Sequence, residues 1–164
     1  MLKLFIGICL VAFTSICGYL FAGKYRKRKM FFAQFYEFNE RFLSEVSYYR
    51  RPLCDFIANY AYIGAFNELL QGYYTDIKEK SLFDRRILDL EDFSFLKKDE
   101  KVVIADYFLM LGRGDSASQK GYFSTVKSTL SKLQIQAVDE GKRYGDLYIK
   151  LGFLSGLLLL LLII

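Results

Sequence analysis

The sequence predicts an all-α protein: an antiparallel bundle of about five to six helices, with an N-terminal and a C-terminal transmembrane helix. Three observations carry that prediction. Apolar residues recur at steps of three and four through most of the chain, and no segment shows the sustained alternation of a half-buried strand. Uncharged runs stand at both ends, twenty residues over 4–23 and fourteen over 151–164. Only one proline, Pro52, occurs in 164 residues.

Residues 4–23 have the length that a helix needs to cross a bilayer core. A cleaved signal peptide would need a shorter apolar region and small residues at a cleavage site. Here the run is long, Ile16 before Cys17 excludes a lipoprotein signal, and Lys24, Arg26, Lys27, Arg28 and Lys29 follow at once. That basic flank reads as a stop and an orientation signal. It keeps its own side cytoplasmic and puts the N-terminus, with only Lys3, on the far side. From Met30 to Tyr49, the residues Phe31, Phe35, Phe38, Phe42, Val46 and Tyr49 fall on one helix face, with Glu37, Asn39, Glu40, Arg41, Ser44 and Glu45 in the gaps. Arg51-Pro52 ends that helix, because proline disfavours a helical residue before itself and suits the first turn after it.

Leu53, Phe56, Ile57 and Tyr60 predict a short second helix closing near Gly64. Phe66, Leu69, Leu70, Tyr73 and Ile77 predict a third, and Leu82, Phe83, Ile87, Leu88 and Leu90 a fourth over 81–92. Asp99 and Glu100 suit a helix start, from which Val102, Val103, Ile104, Tyr107, Phe108 and Leu111 run to a glycine stop at Gly112.

The last helix organises the rest. Ser116 with Gln119 three residues on has capping-box spacing. Beyond it Phe123, Val126, Leu130, Leu133, Ala137, Tyr144, Tyr148 and Leu151 keep one face, and no proline interrupts the run into the leucine tail. A single helix over 116–164 would be about 70 Å long. Its tail alone gives about 21 Å, short of a core of roughly 30 Å, but Leu147–Lys150 extends it to eighteen residues if Lys150 snorkels. A tail that only dips into the bilayer is the alternative. Lys142 and Arg143 place its near end in the cytoplasm. The expected organisation is an N-terminal anchor over 1–23, a cytosolic helical-bundle domain over 24–148 and a C-terminal transmembrane helix over 149–164, with both termini on the far side. Gly141, Gly145, Gly152 and Gly156 lie on one stripe of the long helix. Glycine weakens a helix interior, so the stripe implies close approach by another helix. The first anchor offers Gly7, Ser15, Gly18 and Ala22; a helix of another subunit is the other candidate.

Histidine is absent, which removes the commonest metal ligand and the commonest general base at neutral pH. Cys9, Cys17 and Cys54 lack metal-ligand spacing and read as small buried thiols. The formal charge is +5, but nine of the 23 basic residues flank the hydrophobic segments. Between 30 and 141, fourteen basic residues face seventeen acidic ones, a net −3. Nucleic-acid binding needs a basic face on the folded domain, so none is expected. Arg113-Gly114-Asp115 reads as a tight interhelical loop, since no lysine-serine pair and no strand accompany its glycines. The neighbours Glu91-Asp92 and Asp139-Glu140 diverge around a helix and read as solvated. No catalytic residue, cofactor, metal or small-molecule substrate is expected; the lipid bilayer is.

Leu111-Gly112 with Asp115 and Gln119, Arg143-Tyr144-Gly145, and Leu151-Gly152-Phe153-Leu154 with Gly156 before a leucine-rich end resemble the stage III sporulation protein AB family of endospore-forming bacteria. The Arg51-Pro52-Leu53 junction and the hydrophobic start with its basic cluster extend the resemblance over the whole chain. Gly114 departs from it, because the family's Leu-Gly-x-Ser-Asp pattern has serine there. The resemblance implies a domain similar to the cytoplasmic helical domain of the platform protein of type II secretion and type IV pilus systems. It also implies a non-enzymatic part in the secretion-like channel complex linking mother cell and forespore, on the mother-cell side in the outer forespore membrane. The implied partners are other subunits of that complex, including a cytosolic secretion-type ATPase. The residues alone leave a second class open: an independent membrane-associated regulator or lipid-binding module using its basic collars on anionic headgroups.

Overall fold

The computed structural model describes residues 2–49, 52–113 and 115–163. Its helices are α1 (Leu2–Ser44), α2 (Leu53–Ala58), α3 (Gly64–Lys78), α4 (Lys98–Met110), α5 (Ser116–Glu140) and α6 (Asp146–Ile163). A π-helical turn, Glu45–Tyr49, follows α1, and another, Gly141–Gly145, joins α5 to α6. Among the described residues there is no strand, and the fold is all-α as the periodicity predicts. The chain divides into two compact units, Met30–Gln134 and Met1–Lys29 with Ile135–Ile164.

The unit Met30–Gln134 is built on the aromatic face of α1. Phe31, Phe35, Phe38 and Phe42 are buried, as their spacing requires, and Phe32 is buried with them. Against them lie Phe56 of α2, Phe66 of α3, Tyr107 and Phe108 of α4, and Phe123 of α5. Phe35 meets Tyr107 at 4.7 Å between ring centroids and 82° between planes, and Tyr107 meets Phe123 at 4.8 Å and 70°. These edge-to-face contacts suit the ring quadrupoles, each adding about 0.5–1.5 kcal/mol beyond burial.

A polar connection runs through this core. Asn39, one of the residues in the gaps of the aromatic face, is fully buried. Its Nδ2 donates to the Phe123 carbonyl at 3.3 Å, and the Tyr107 hydroxyl donates to its Oδ1 at 3.2 Å. One amide thereby ties α1 to α4 and α5. Glu45, another gap residue, is also buried. On α4 the reverse occurs, and Val102 is 55% exposed.

Several local expectations need correction. Residues 81–92 form two 3-10 turns, Arg85–Asp89 and Glu91–Phe93, rather than a helix. The spacing of Phe83, Leu88 and Phe93, all buried, fits no single α-helical face. The Asp84 side chain caps the first turn by accepting from the Arg86 amide at 2.9 Å. The capping box at Ser116 does not form, because Ser116 is already helical. Asp115 takes the capping place and accepts from the Ser118 amide at 3.3 Å. Gln119 instead donates to the Arg113 carbonyl at 3.0 Å. The long last helix runs as one helix over Ser116–Leu162, as expected, with Gly141–Gly145 in π rather than α geometry. At α4 the acidic start holds, with the Glu100 carboxylate accepting from the Lys97 amide at 2.9 Å. Arg51 and Gly114 lie outside the described residues.

Burial raises the phenols of Tyr62, Tyr73 and Tyr107, that of Tyr62 to about 12. In the unfolded chain these groups lose their protons near pH 10. Their contribution is therefore complete below pH 10 and lost as pH rises through the folded-state values. Melting followed by far-ultraviolet circular dichroism should give a constant Tm from about pH 8 to 9.5 and a falling one from about pH 10 to 12. An unchanged Tm at about pH 11.5 would contradict the burial.

Candidate functional site

The unit formed by Met1–Lys29 and Ile135–Ile164 holds the whole glycine stripe and all the membrane-flank basic residues singled out from the sequence. Its two helical arms pair antiparallel. Gly7 lies against Leu160, Val11 against Gly156, Thr14 against Gly152, and Gly18 against Tyr148. Phe21 then meets Tyr148, Tyr25 meets Tyr144, and Arg28 meets Glu140. The leucine tail thus runs beside the first apolar stretch to the level of Gly7. Both arms belong to helices long and apolar enough to cross a membrane. Their outer faces stay open, with Phe13 65% and Leu161 78% exposed. Apolar surface of that extent suits a bilayer and costs about 25 cal/mol per Å² in water.

Two glycines of the stripe define the crossing. A Cβ on Gly152 would lie 2.7 Å from the Thr14 carbonyl oxygen and 3.0 Å from the Gly18 Cα. One on Gly156 would lie 2.8 Å from the Val11 Cα and would collide with the Thr14 hydroxyl. Gly141 and Gly145 are looser, with the nearest atoms of Tyr25 at 4.0 Å. The facing residues include Gly7 and Gly18, but the central ones are Val11 and Thr14, which a search for small residues passes over. Ser15 turns its hydroxyl to the Val11 carbonyl of its own helix at 2.7 Å.

The basic residues divide into two groups. Lys24, Arg26, Lys27, Lys29, Lys142, Arg143 and Lys150 are exposed. Arg28 is not: it is 3% exposed and pairs with Glu140 at 2.6 Å. Glu140 is therefore half-buried in an ion pair and not a solvated carboxylate as its neighbour Asp139 is. Some of the exposed cations stand over aromatic rings, Arg26 4.0 Å from the Tyr19 ring centroid and Arg143 5.5 Å from that of Tyr144. Of the cysteines, all free, Cys9 is exposed and Cys17 and Cys54 are half-buried. The expectation of three buried thiols fails: Cys9 and Cys17 lie on an arm with one face pointing away from the pair, and Cys54 lies at the start of the short helix α2.

The residues Leu111, Gly112, Asp115 and Gln119 converge on the turn between α4 and α5. Leu111 is buried, and its carbonyl accepts from the Tyr73 hydroxyl at 2.8 Å. Gly112 has φ +76°, and a Cβ there would lie 2.8 Å from Leu53 Cδ2. Left-handed backbone and lack of space both favour glycine. The Ser118 hydroxyl and amide hold the Asp115 carboxyl below its ordinary range. These four residues shape a turn.

The class so defined is an all-α protein with two helices long and apolar enough to cross a membrane, paired antiparallel through glycine. Within that class the chain belongs to the stage III sporulation protein AB family, which it matches over residues 3–164. It is accordingly a protein of stage III of sporulation. No curated protein and no solved structure matches it.

Proposed function

We propose that this chain is a non-enzymatic platform subunit of a sporulation-specific, secretion-like complex linking mother cell and forespore, and that its helical domain docks a cytosolic secretion-type ATPase. The antiparallel apolar pair carries the reading. Its exposed cations at 24–29 and 142–150 lie at one end, so the positive-inside tendency acts on both helices in the same sense. In this reading residues 30–134 lie on the mother-cell side of the outer forespore membrane, within reach of a cytosolic partner, and both termini lie across it. Family membership supports the sporulation context, and the docking role follows from the likeness to platform-protein cytoplasmic domains that the sequence resemblance implies.

The test is co-purification. Tagged full-length protein extracted in detergent from sporulating cells should bring down the secretion-type ATPase of the same complex. Recovery of the protein without any ATPase, after chemical crosslinking as well, would reject the docking role. Orientation has its own check in vegetative cells expressing a cysteine-free variant. An Asp76→Cys reporter should be protected from an impermeant maleimide, and a cysteine added after Ile164 should be labelled. Labelling of Asp76→Cys in intact cells would overturn the orientation.

A further inference from the structure

Beside the glycine crossing lies a groove of about 390 Å³, lined by Thr14, Cys17, Phe21, Tyr148, Leu151 and Ser155 and almost wholly apolar. At its cytoplasmic end in the reading above, Tyr148 packs against Phe21 and Tyr25, with ring centroids 6.1 and 6.0 Å apart. Over these rings stands the Lys24 ammonium, 5.1 Å from the Tyr25 centroid and 6.0 Å from that of Tyr148. Lys24 is exposed and, among the described residues, enters no ion pair. The contrast with Arg28 matters: one cation of this segment is neutralised by Glu140 inside the protein, while the one at the mouth of the groove is not.

We infer that this groove holds one anionic phospholipid, with an acyl chain along Cys17, Phe21 and Leu151 and its phosphate at Lys24. The inference rests on the reading that the helix pair lies in a bilayer. An apolar trough ending in an uncompensated cation has the same two parts, in the same order, as a phospholipid crossing from hydrocarbon to headgroup. Tyrosine rings at the junction suit the same boundary, since they carry an apolar body and a polar tip. Charge complementarity selects the lipid class, because a zwitterionic headgroup brings its own ammonium against Lys24 and an anionic one does not. A second protein helix in the groove would answer that charge only if it carried a carboxylate at the same level.

The chain contains no tryptophan, so Phe21→Trp would place a sole emitter on the groove wall. Full-length Phe21→Trp protein would be reconstituted in phosphatidylcholine vesicles carrying a small fraction of phosphatidylglycerol with brominated acyl chains, or the same fraction of brominated phosphatidylcholine. The brominated anionic lipid should quench as if enriched about five-fold at the groove, the preference one lysine gives at an anionic surface. Lys24→Gln should abolish the excess. Lys29→Gln, which removes an exposed cation that stands over no ring among the described residues, should keep it. Equal quenching by the two lipids would overturn the inference while leaving the bilayer placement intact. Equal loss in Lys24→Gln and Lys29→Gln would assign the preference to diffuse charge and also overturn it. No quenching in vesicles made wholly of brominated phosphatidylcholine would overturn both the inference and the membrane reading.

Discussion

Replacing Gly152 and Gly156 together with isoleucine is expected to give a protein present in the membrane at normal level that fails in assembly and in sporulation. The added Cβ atoms would meet backbone: the Thr14 carbonyl and Gly18 Cα at 2.7 and 3.0 Å, and the Val11 Cα at 2.8 Å. Backbone cannot rotate away as the end of a side chain can, so the two helices must separate. Overpacking of this kind costs about 1–3 kcal/mol, and in a membrane close packing is a main source of helix association. Isoleucine keeps the segment apolar, so insertion should survive, and the aromatic core of Met30–Gln134 uses neither residue. Immunoblotting of membrane fractions and counts of heat-resistant spores would separate the two effects. Leu158→Ile with Leu159→Ile changes side-chain shape without removing a glycine and serves as the control. Gly141→Ala and Gly145→Ala should be far milder, since each meets Tyr25 at an ordinary 4.0 Å. A glycine double variant that behaves like the leucine control would mean that the crossing does not hold the pair together.

What the sequence revealed and what it hid follow from the range of the interactions. The α1 aromatics were legible because steps of four, three and four place Phe31, Phe35, Phe38 and Phe42 on one face whatever they pack against. The glycine stripe was legible as a contact surface but its partner was not. Register between helices more than a hundred residues apart is set by shape, and Val11 and Thr14 carry no small-residue signal. The burial of Arg28 and Asn39 has one cause. A charged or polar side chain enters the interior where a distant partner answers it, and the sequence does not name that partner: Glu140 for Arg28, Phe123 and Tyr107 for Asn39. At the start of α5 the signal was local but doubled. Both Asp115 and Ser116 are capping residues, and the chain uses the one that lets the helix begin a residue earlier.

The buried amide supports the other large expectation. Asn39→Leu keeps side-chain volume nearly constant, so its effect should come from hydrogen bonding and not from a cavity. It would leave the Tyr107 hydroxyl and the Phe123 carbonyl buried without their present partner. The Phe123 carbonyl keeps its bond within α5, so the hydroxyl is the orphan, at about 1–3 kcal/mol, which with the lost bond to the carbonyl gives a destabilisation of about 2–3 kcal/mol. A change of that size should lower Tm by about 10 °C or more in a domain of this length. Tyr107→Phe removes a single bond and leaves only the Asn39 Oδ1 unanswered, so a loss of about 1–2 kcal/mol is expected. Combining the two should cost less than their sum by about 1 kcal/mol, because both remove the same contact. Thermal melts of the full-length protein in detergent, read by the near-ultraviolet signal of its tyrosines, give all three values. An Asn39→Leu protein as stable as the parent would show that apolar packing between α1, α4 and α5 suffices without the amide, and that the buried network contributes nothing to holding these helices together.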